Sequence, residues 1–326
     1  MPLSIFRLLD HHHIKLYLAP IPLLLLSACQ GAGDHLVSTQ ASTPPSSILS
    51  SSTQAPLDPN PTPPPISSPF PISTSSPTVS TVPNNPSQFI ADPQRKYSID
   101  VMLFAGTGTW STEVSSIESI LKSNKLTYSK LNSAQLNALT AKELAQYGLL
   151  IFPGGAGGTQ AKSLSSQSHA ELRSAVQDYG VSYLGFCAGA FIAVAPAPDP
   201  GQDVSYGLGI VNGPELDYYF LEYQLNPDVA MTLENFADGS QRDLLWYGGP
   251  VTPNTPGGVI ARYPNGDPAI TQLVSGKGFV IVSGPHPAAP QTVKDSFGLL
   301  DSDGSDEQLT WSLISSALYQ IPMKAF

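Results

Sequence analysis

Short, mainly apolar runs recur at residues 99–104, 149–152, 181–186, 258–263 and 279–282, and they set the fold class. Runs of this length fit strands covered on both faces. Helical patterns lie between them at residues 113–122, 133–147 and 167–179; in the latter two, the Leu136/Leu139/Leu144 and Leu172/Val176 spacings form apolar stripes. Strands alternating with helices predict an α/β fold with a mostly parallel sheet and helices on both faces. In such sheets the chemistry gathers in loops beyond the carboxyl ends of the strands.

The first 95 residues follow other rules. The chain has 326 residues and 32 prolines, and the proline excess is concentrated here. From 38 to 88, 34 of 51 residues are Ser, Thr or Pro and the only charge is Asp58, a composition that cannot bury enough apolar area to offset its ordering entropy. Residues 29–95 are therefore read as a Ser/Thr/Pro-rich disordered tether, and 96–326 as one globular domain. Residues 1–28 read as a signal peptide: Arg7 and Lys15 precede an apolar run over 16–26, which is shorter than the roughly 20 residues needed to span a bilayer. The run ends in Leu26-Ser27-Ala28-Cys29, which resembles the lipobox of bacterial lipoproteins. That resemblance implies lipidation of Cys29, export, and a lipid anchor in the membrane at the periplasm or cell surface.

Charge and cysteine content remove other classes. A net charge of −10 with only 15 Lys and Arg argues against nucleic-acid binding, which clustered basic side chains drive. Two cysteines cannot build a disulfide-rich scaffold or a multi-cysteine metal site. No metal and no cofactor are expected.

Three loops carry the candidate chemistry. Gly185-Phe186-Cys187-Ala188-Gly189-Ala190 follows an apolar strand and opens a short helix, as a nucleophile elbow does; small neighbours permit the tight turn, and the helix N-terminus favours the thiolate. Leu149 to Phe152 runs into Pro153-Gly154-Gly155-Ala156-Gly157-Gly158, a loop whose backbone N–H groups can face a developing oxyanion. Ser283-Gly284-Pro285-His286-Pro287 places an imidazole directly after a third apolar strand, where a general base belongs. The other histidine of the domain, His169, sits in a polar helix start and is read as a solvated surface residue. Each loop alone has an ordinary structural explanation; the set of three does not.

These segments, with Trp246-Tyr247-Gly248-Gly249-Pro250, resemble the class I glutamine amidotransferase-like superfamily, whose domain is a flavodoxin-like sandwich. Within it they are most similar to the N-terminal domain of biotin–protein ligases. The resemblance covers about residues 97–320 and does not extend to a ligase catalytic domain. It implies Cys187 as nucleophile, His286 as general base, and Gly154, Gly155, Ala188, Tyr247, Gly248 and Gly249 as oxyanion or substrate-binding positions. One departure matters. The family pattern is His-Pro-Glu, with the glutamate orienting the imidazole, whereas this chain has His286-Pro287-Ala288. Asp295, Glu215 and Asp217 are the candidate replacements.

Other features have simpler readings. Gly106-Thr107-Gly108 is read as a tight strand-to-helix loop, the acidic stretch over 301–307 as a solvated loop capping the last helix, and Tyr218, Tyr219, Phe220 and Tyr223 as half-buried core. The functional expectation is a Cys/His thiol-dependent amidase or amidotransferase-type hydrolase acting on a small-molecule amide or an envelope peptide. The alternative is a catalytically silent binding or assembly module of the cell envelope on the same fold. No oligomeric state follows from the sequence.

Overall fold

The computed structural model describes residues 85–194, 207–219 and 229–326. Cys29, the signal peptide, Phe220 and Tyr223 lie outside the described residues, as does the tether up to residue 84. The tether's last residues, 85–95, pack on the domain: Phe89 lies 5.2 Å from the Phe279 ring, and the Arg95 guanidinium donates to the Gly148 and Leu318 carbonyls.

The parallel part of the sheet is built from β1 (Ile99–Phe104), β2 (Tyr128–Leu131), β3 (Tyr147–Phe152), β4 (Ser182–Phe186) and β9 (Gly278–Ser283). Strands β5 (Val229–Phe236), β6 (Gln241–Tyr247), β7 (Val259–Arg262) and β8 (Pro268–Ser275) extend it. The order is β2-β1-β3-β4-β9-β8-β7-β5-β6, parallel through β9 and antiparallel beyond it. The α/β fold with a mostly parallel central sheet thus stands. The run at 258–263, however, forms a strand of the antiparallel extension, because tight connections join β7, β8 and β9 and leave no room for crossover helices.

Helices cover both faces. On one side, α1 (Ser111–Ser123) and α8 (Glu307–Tyr319) pack Val114, Ile117, Leu121, Leu313, Ile314 and Leu318 against Val101, Leu103, Leu149 and Ile151. On the other side, α2 (Ser133–Asn137), α3 (Ala141–Leu144), α4 (Gly157–Lys162), α5 (Ser166–Gln177) and α6 (Ala188–Val194) pack over Met102, Phe104, Leu150 and Phe152. A short α7 (Gln291–Ser296) precedes α8. All six residues of β3 are buried, which explains its continuous apolar run. The single helix expected over 133–147 is broken in two. Asn132 with Gln135 and Thr140 with Glu143 each form a capping box, so the second N-terminal signal interrupts the helix and the chain enters β3 at Tyr147.

This order positions the site. From β1 the chain moves to β2 on one flank and then returns to β3 on the other, so the crevice between the carboxyl ends of β1 and β3 is a topological switch point. Pairing of Phe152 with Gly185 and of Phe186 with Ser283 brings the loops after β3, β4 and β9 side by side.

Candidate active site

Cys187 sits in the left-handed region, at φ 46°. A non-glycine residue there costs of order 1–3 kcal/mol and persists only where the surroundings impose it. Its N–H donates to the Ser283 carbonyl at 2.7 Å. The flanking glycines are required by contact: a Cβ on Gly185 would fall 2.5 Å from the Gly189 backbone, and one on Gly189 would fall 2.1 Å from the Phe152 carbonyl oxygen. The G-x-C-x-G spacing is therefore the price of pressing the elbow helix onto β3 and β4, and it aims Cys187 beyond the sheet edge. Its sulfur lies 3.7 Å from the Tyr247 carbonyl oxygen.

His286 is fully buried, and its backbone N–H donates to the Leu245 carbonyl at 2.7 Å. Its Nδ1 lies 2.9 Å from Oε1 of Glu113, which is also fully buried. Neither Asp295, Glu215 nor Asp217 supplies the missing acid: all three are exposed, and Asp295 is occupied by Gln291 on its own helix. The acid arrives from α1. Trp110 N–H donates to the Gly154 carbonyl at 2.8 Å and Ala156 N–H to the Gly108 carbonyl at 2.8 Å, stitching the loop after β1 to the loop after β3. The first turn of α1 then faces the imidazole. The second Glu113 oxygen, Oε2, accepts the Gly154 N–H. A carboxylate in the first turn is also favoured by the helix dipole. No local motif announced Glu113; its signal was a carboxylate placed where an apolar helix enters the switch-point crevice.

That hydrogen bond revises one assignment. Gly154 N–H is committed to Glu113 and is not an oxyanion donor. Gly154 instead makes room for the pair, since a Cβ there would lie 2.4 Å from His286 Cε1. Gly155 and Ala188 fit better: among the described residues neither backbone N–H has a hydrogen-bond acceptor. Gly155 holds φ 137°, and a Cβ on it would fall 2.1 Å from the Gly108 carbonyl oxygen. Gly249 is a packing joint. Its carbonyl accepts from Tyr219 N–H and the Trp246 indole, and its α-carbon abuts the Gly284 carbonyl. Gly248 turns the chain at φ 59°, and Tyr247 borders the sulfur through its carbonyl.

The His286 Nε2 atom is buried without a hydrogen-bond partner. With Nδ1 on a carboxylate, Nε2 is the atom that can take or give a proton.

Two other expectations are corrected. His169 is 1% exposed, with Nε2 3.0 Å from the Ala161 carbonyl, because the start of α5 packs against α4; burial lowers its pKa. The acidic stretch over 301–307 is not simply solvated. Asp301 and Asp306 turn inward onto Lys294 at 2.6 and 2.7 Å, and Asp306 makes no side-chain cap on α8. Gly106-Thr107-Gly108 is the tight loop expected, closed by Thr109 N–H on the Gly106 carbonyl. Tyr219 stacks on Tyr263 at 3.7 Å, and Tyr218 is half-buried against Phe191.

No curated protein matches the chain. A solved glutamine amidotransferase is similar at 18% identity and a TM-score of 0.44, covering 66% of this chain and 98% of its own. DJ-1 of Schizosaccharomyces pombe is similar at 17% identity and a TM-score of 0.23, covering 28% of this chain and 58% of its own. An exo-β-1,4-mannosidase from Opitutaceae bacterium strain TAV5 is similar at 15% identity and a TM-score of 0.37; the match covers 68% of this chain but only 36% of that enzyme. Residues 99–197, which span β1 through the elbow helix and so include Glu113, Gly155 and Cys187, match the family model of the biotin-protein ligase N-terminal region.

Proposed function

We propose that the domain is a thiol-dependent amide hydrolase or acyl-transfer enzyme in which Cys187, His286 and Glu113 act together. The observation that carries this reading is the buried Glu113–His286 pair, 2.9 Å across Nδ1, with Nε2 left unpartnered. Burying a carboxylate and an imidazole together costs desolvation on both. A fold recovers that cost in function when the pair fixes a tautomer that presents Nε2 for proton transfer. One motive for the silent-module reading is Ala288 standing in place of an orienting glutamate, and the Glu113 carboxylate on Nδ1 answers that motive.

The steps follow from the chain's own groups. Nε2 takes the Cys187 thiol proton, and the sulfur attacks the amide carbon to form a C–S bond. Gly155 and Ala188 N–H receive the oxyanion. Collapse breaks the C–N bond, and Nε2 returns the proton to the departing amine. Water then attacks the thioester, with Nε2 accepting its proton, and releases a carboxylic acid and the thiol. Glu113 holds the ring through Nδ1.

We further propose an exported, lipid-anchored chain, supported by the Leu26-Ser27-Ala28-Cys29 sequence. The substrate is then a small amide or an envelope peptide. The test is to incubate the reduced full-length protein with a mixture of peptide amides and look for a thioester at Cys187 by mass spectrometry. A thioester in wild type, lost with hydrolysis in Cys187→Ser, is expected. Hydrolysis that persists undiminished in Cys187→Ser overturns the mechanism.

A further inference from the structure

Trp110 occupies the N-cap of α1 and makes no side-chain capping bond there. Ser, Thr, Asp or Asn at an N-cap is worth about 1 kcal/mol more than an apolar residue, so the indole is placed for another purpose. Its ring meets the His286 ring edge-on, 5.2 Å between centroids at 87°, and meets Tyr247 at 6.3 Å and 90°. Tyr247 in turn meets Phe297 at 5.6 Å and 78°. Four rings therefore run in line from the catalytic imidazole outward. Met231, Val293 and Leu299 flank them, all partly buried. The outer end is open: Phe297 is 37% exposed and Leu300 81%. The three rings beyond the imidazole come from three separate elements, the loop after β1, the end of β6 and the end of α7. The run of rings starts at His286, and the Tyr247 carbonyl borders the Cys187 sulfur.

We propose that this aromatic strip is the substrate subsite beside Cys187, and that it selects an amide whose flanking group is an aromatic or branched aliphatic side chain. None of the strip residues carries a charge, and Met231, Val293 and Leu299 add only apolar surface. An apolar group laid along the strip loses its hydration and meets ring edges and faces. A sugar or a charged side chain would leave its polar groups unpaired against the same surface. The inference rests on Cys187 as the reacting atom but not on its activation by His286.

The test compares second-order alkylation of reduced, full-length protein by N-benzyl-2-chloroacetamide and by 2-chloro-N-(2-hydroxyethyl)acetamide, each normalised to its rate with glutathione. The benzyl reagent is expected to be favoured about tenfold, the scale of discrimination by a hydrophobic pocket. Phe297→Ala, at an exposed position, should reduce that preference to less than about threefold. Ile321→Ala should leave it intact; Ile321 is 62% exposed but follows Gln320, whose side chain reaches Gly180 at the opposite, amino end of β4. Equal normalised rates overturn the proposal, as does a faster reaction with N-chloroacetylglucosamine. A second readout does not depend on thiol reactivity: unreactive N-benzylacetamide should shift the Trp110 indole N–H resonance, while N-(2-hydroxyethyl)acetamide should not. An unmoved resonance refutes the strip. Failure of the thiol mechanism alone would show as an ordinary alkylation pH profile with the benzyl preference retained.

Discussion

Two buried charged clusters lie on this domain, and they differ in one respect. At the junction of α7 and α8, Lys294 is held by Asp301 and Asp306, all three side chains no more than 2% exposed. Burial alone would lower the Lys294 pKa, but the two carboxylates outweigh it and the net shift is upward. At the switch-point crevice, Glu113 holds His286 at comparable burial. In the first cluster the ammonium is paired with both carboxylates. In the second, Nε2 of the imidazole is left over, beside backbone N–H groups that are also uncommitted. Burial of charge is shared by both; a leftover atom capable of proton transfer distinguishes the site from the strut.

If the first cluster is a strut, breaking it should cost stability and spare reactivity. Lys294→Met leaves two buried carboxylates uncompensated and should lower unfolding free energy by about 3–5 kcal/mol, read from the denaturant midpoint, with Cys187 alkylation of the folded fraction unchanged. Lost reactivity at retained stability would erase the distinction. Glu113→Gln should cost less, about 1–2 kcal/mol, because the amide still occupies the space between Gly154 N–H and His286 Nδ1.

The surroundings of the strut sharpen the comparison through pH. Burial raises the Glu234 pKa well above its ordinary value and lifts Asp306 to about 6. A raised pKa in the folded state means stability present below the unfolded value and lost as pH rises toward the folded one. These two groups should therefore cost stability from about pH 4 upward, and Glu234→Gln should be more stable than wild type at pH 7 with no gain at pH 4. Thermal unfolding at the two pH values checks this; equal gains would contradict it. The smallest effect belongs to the surface. Lys130, Lys122 and Tyr128 hold Glu118 down to about 2. The stabilisation it supplies is present above its unfolded pKa and fades as pH falls toward 2. Glu118→Gln should cost no more than about 1 kcal/mol at pH 7, a loss that vanishes in high salt.

The parallel half of the fold was legible because strands buried on both faces leave mainly apolar runs: β1, β3, β4 and β9 all coincide with such runs. The edge strand β2, whose residues are only half-buried or exposed, did not, nor did β5, whose buried positions include Thr232 and Glu234. The site divided in the same way. Cys187 and His286 stand in loops whose glycines and position after a strand betray them. Glu113 lies 173 residues from His286, in the first turn of an amphipathic helix where an acidic residue looks like routine dipole compensation. Only the strand order brings it to the imidazole. The two Asp side chains on Lys294 were hidden likewise, since an acidic loop reads as solvated until a buried lysine is placed under it.

The account depends most on Glu113 acting through His286 on Cys187. The direct measurement is the pH dependence of iodoacetamide alkylation of Cys187 in the reduced full-length protein, for wild type, His286→Ala and Glu113→Gln. The account predicts that wild type reaches half its maximal rate well below the pH of about 8.5 expected of an unperturbed thiol, and that both variants move the midpoint upward. Three superimposable profiles would mean that the buried pair serves the fold alone and that the elbow is not armed by it.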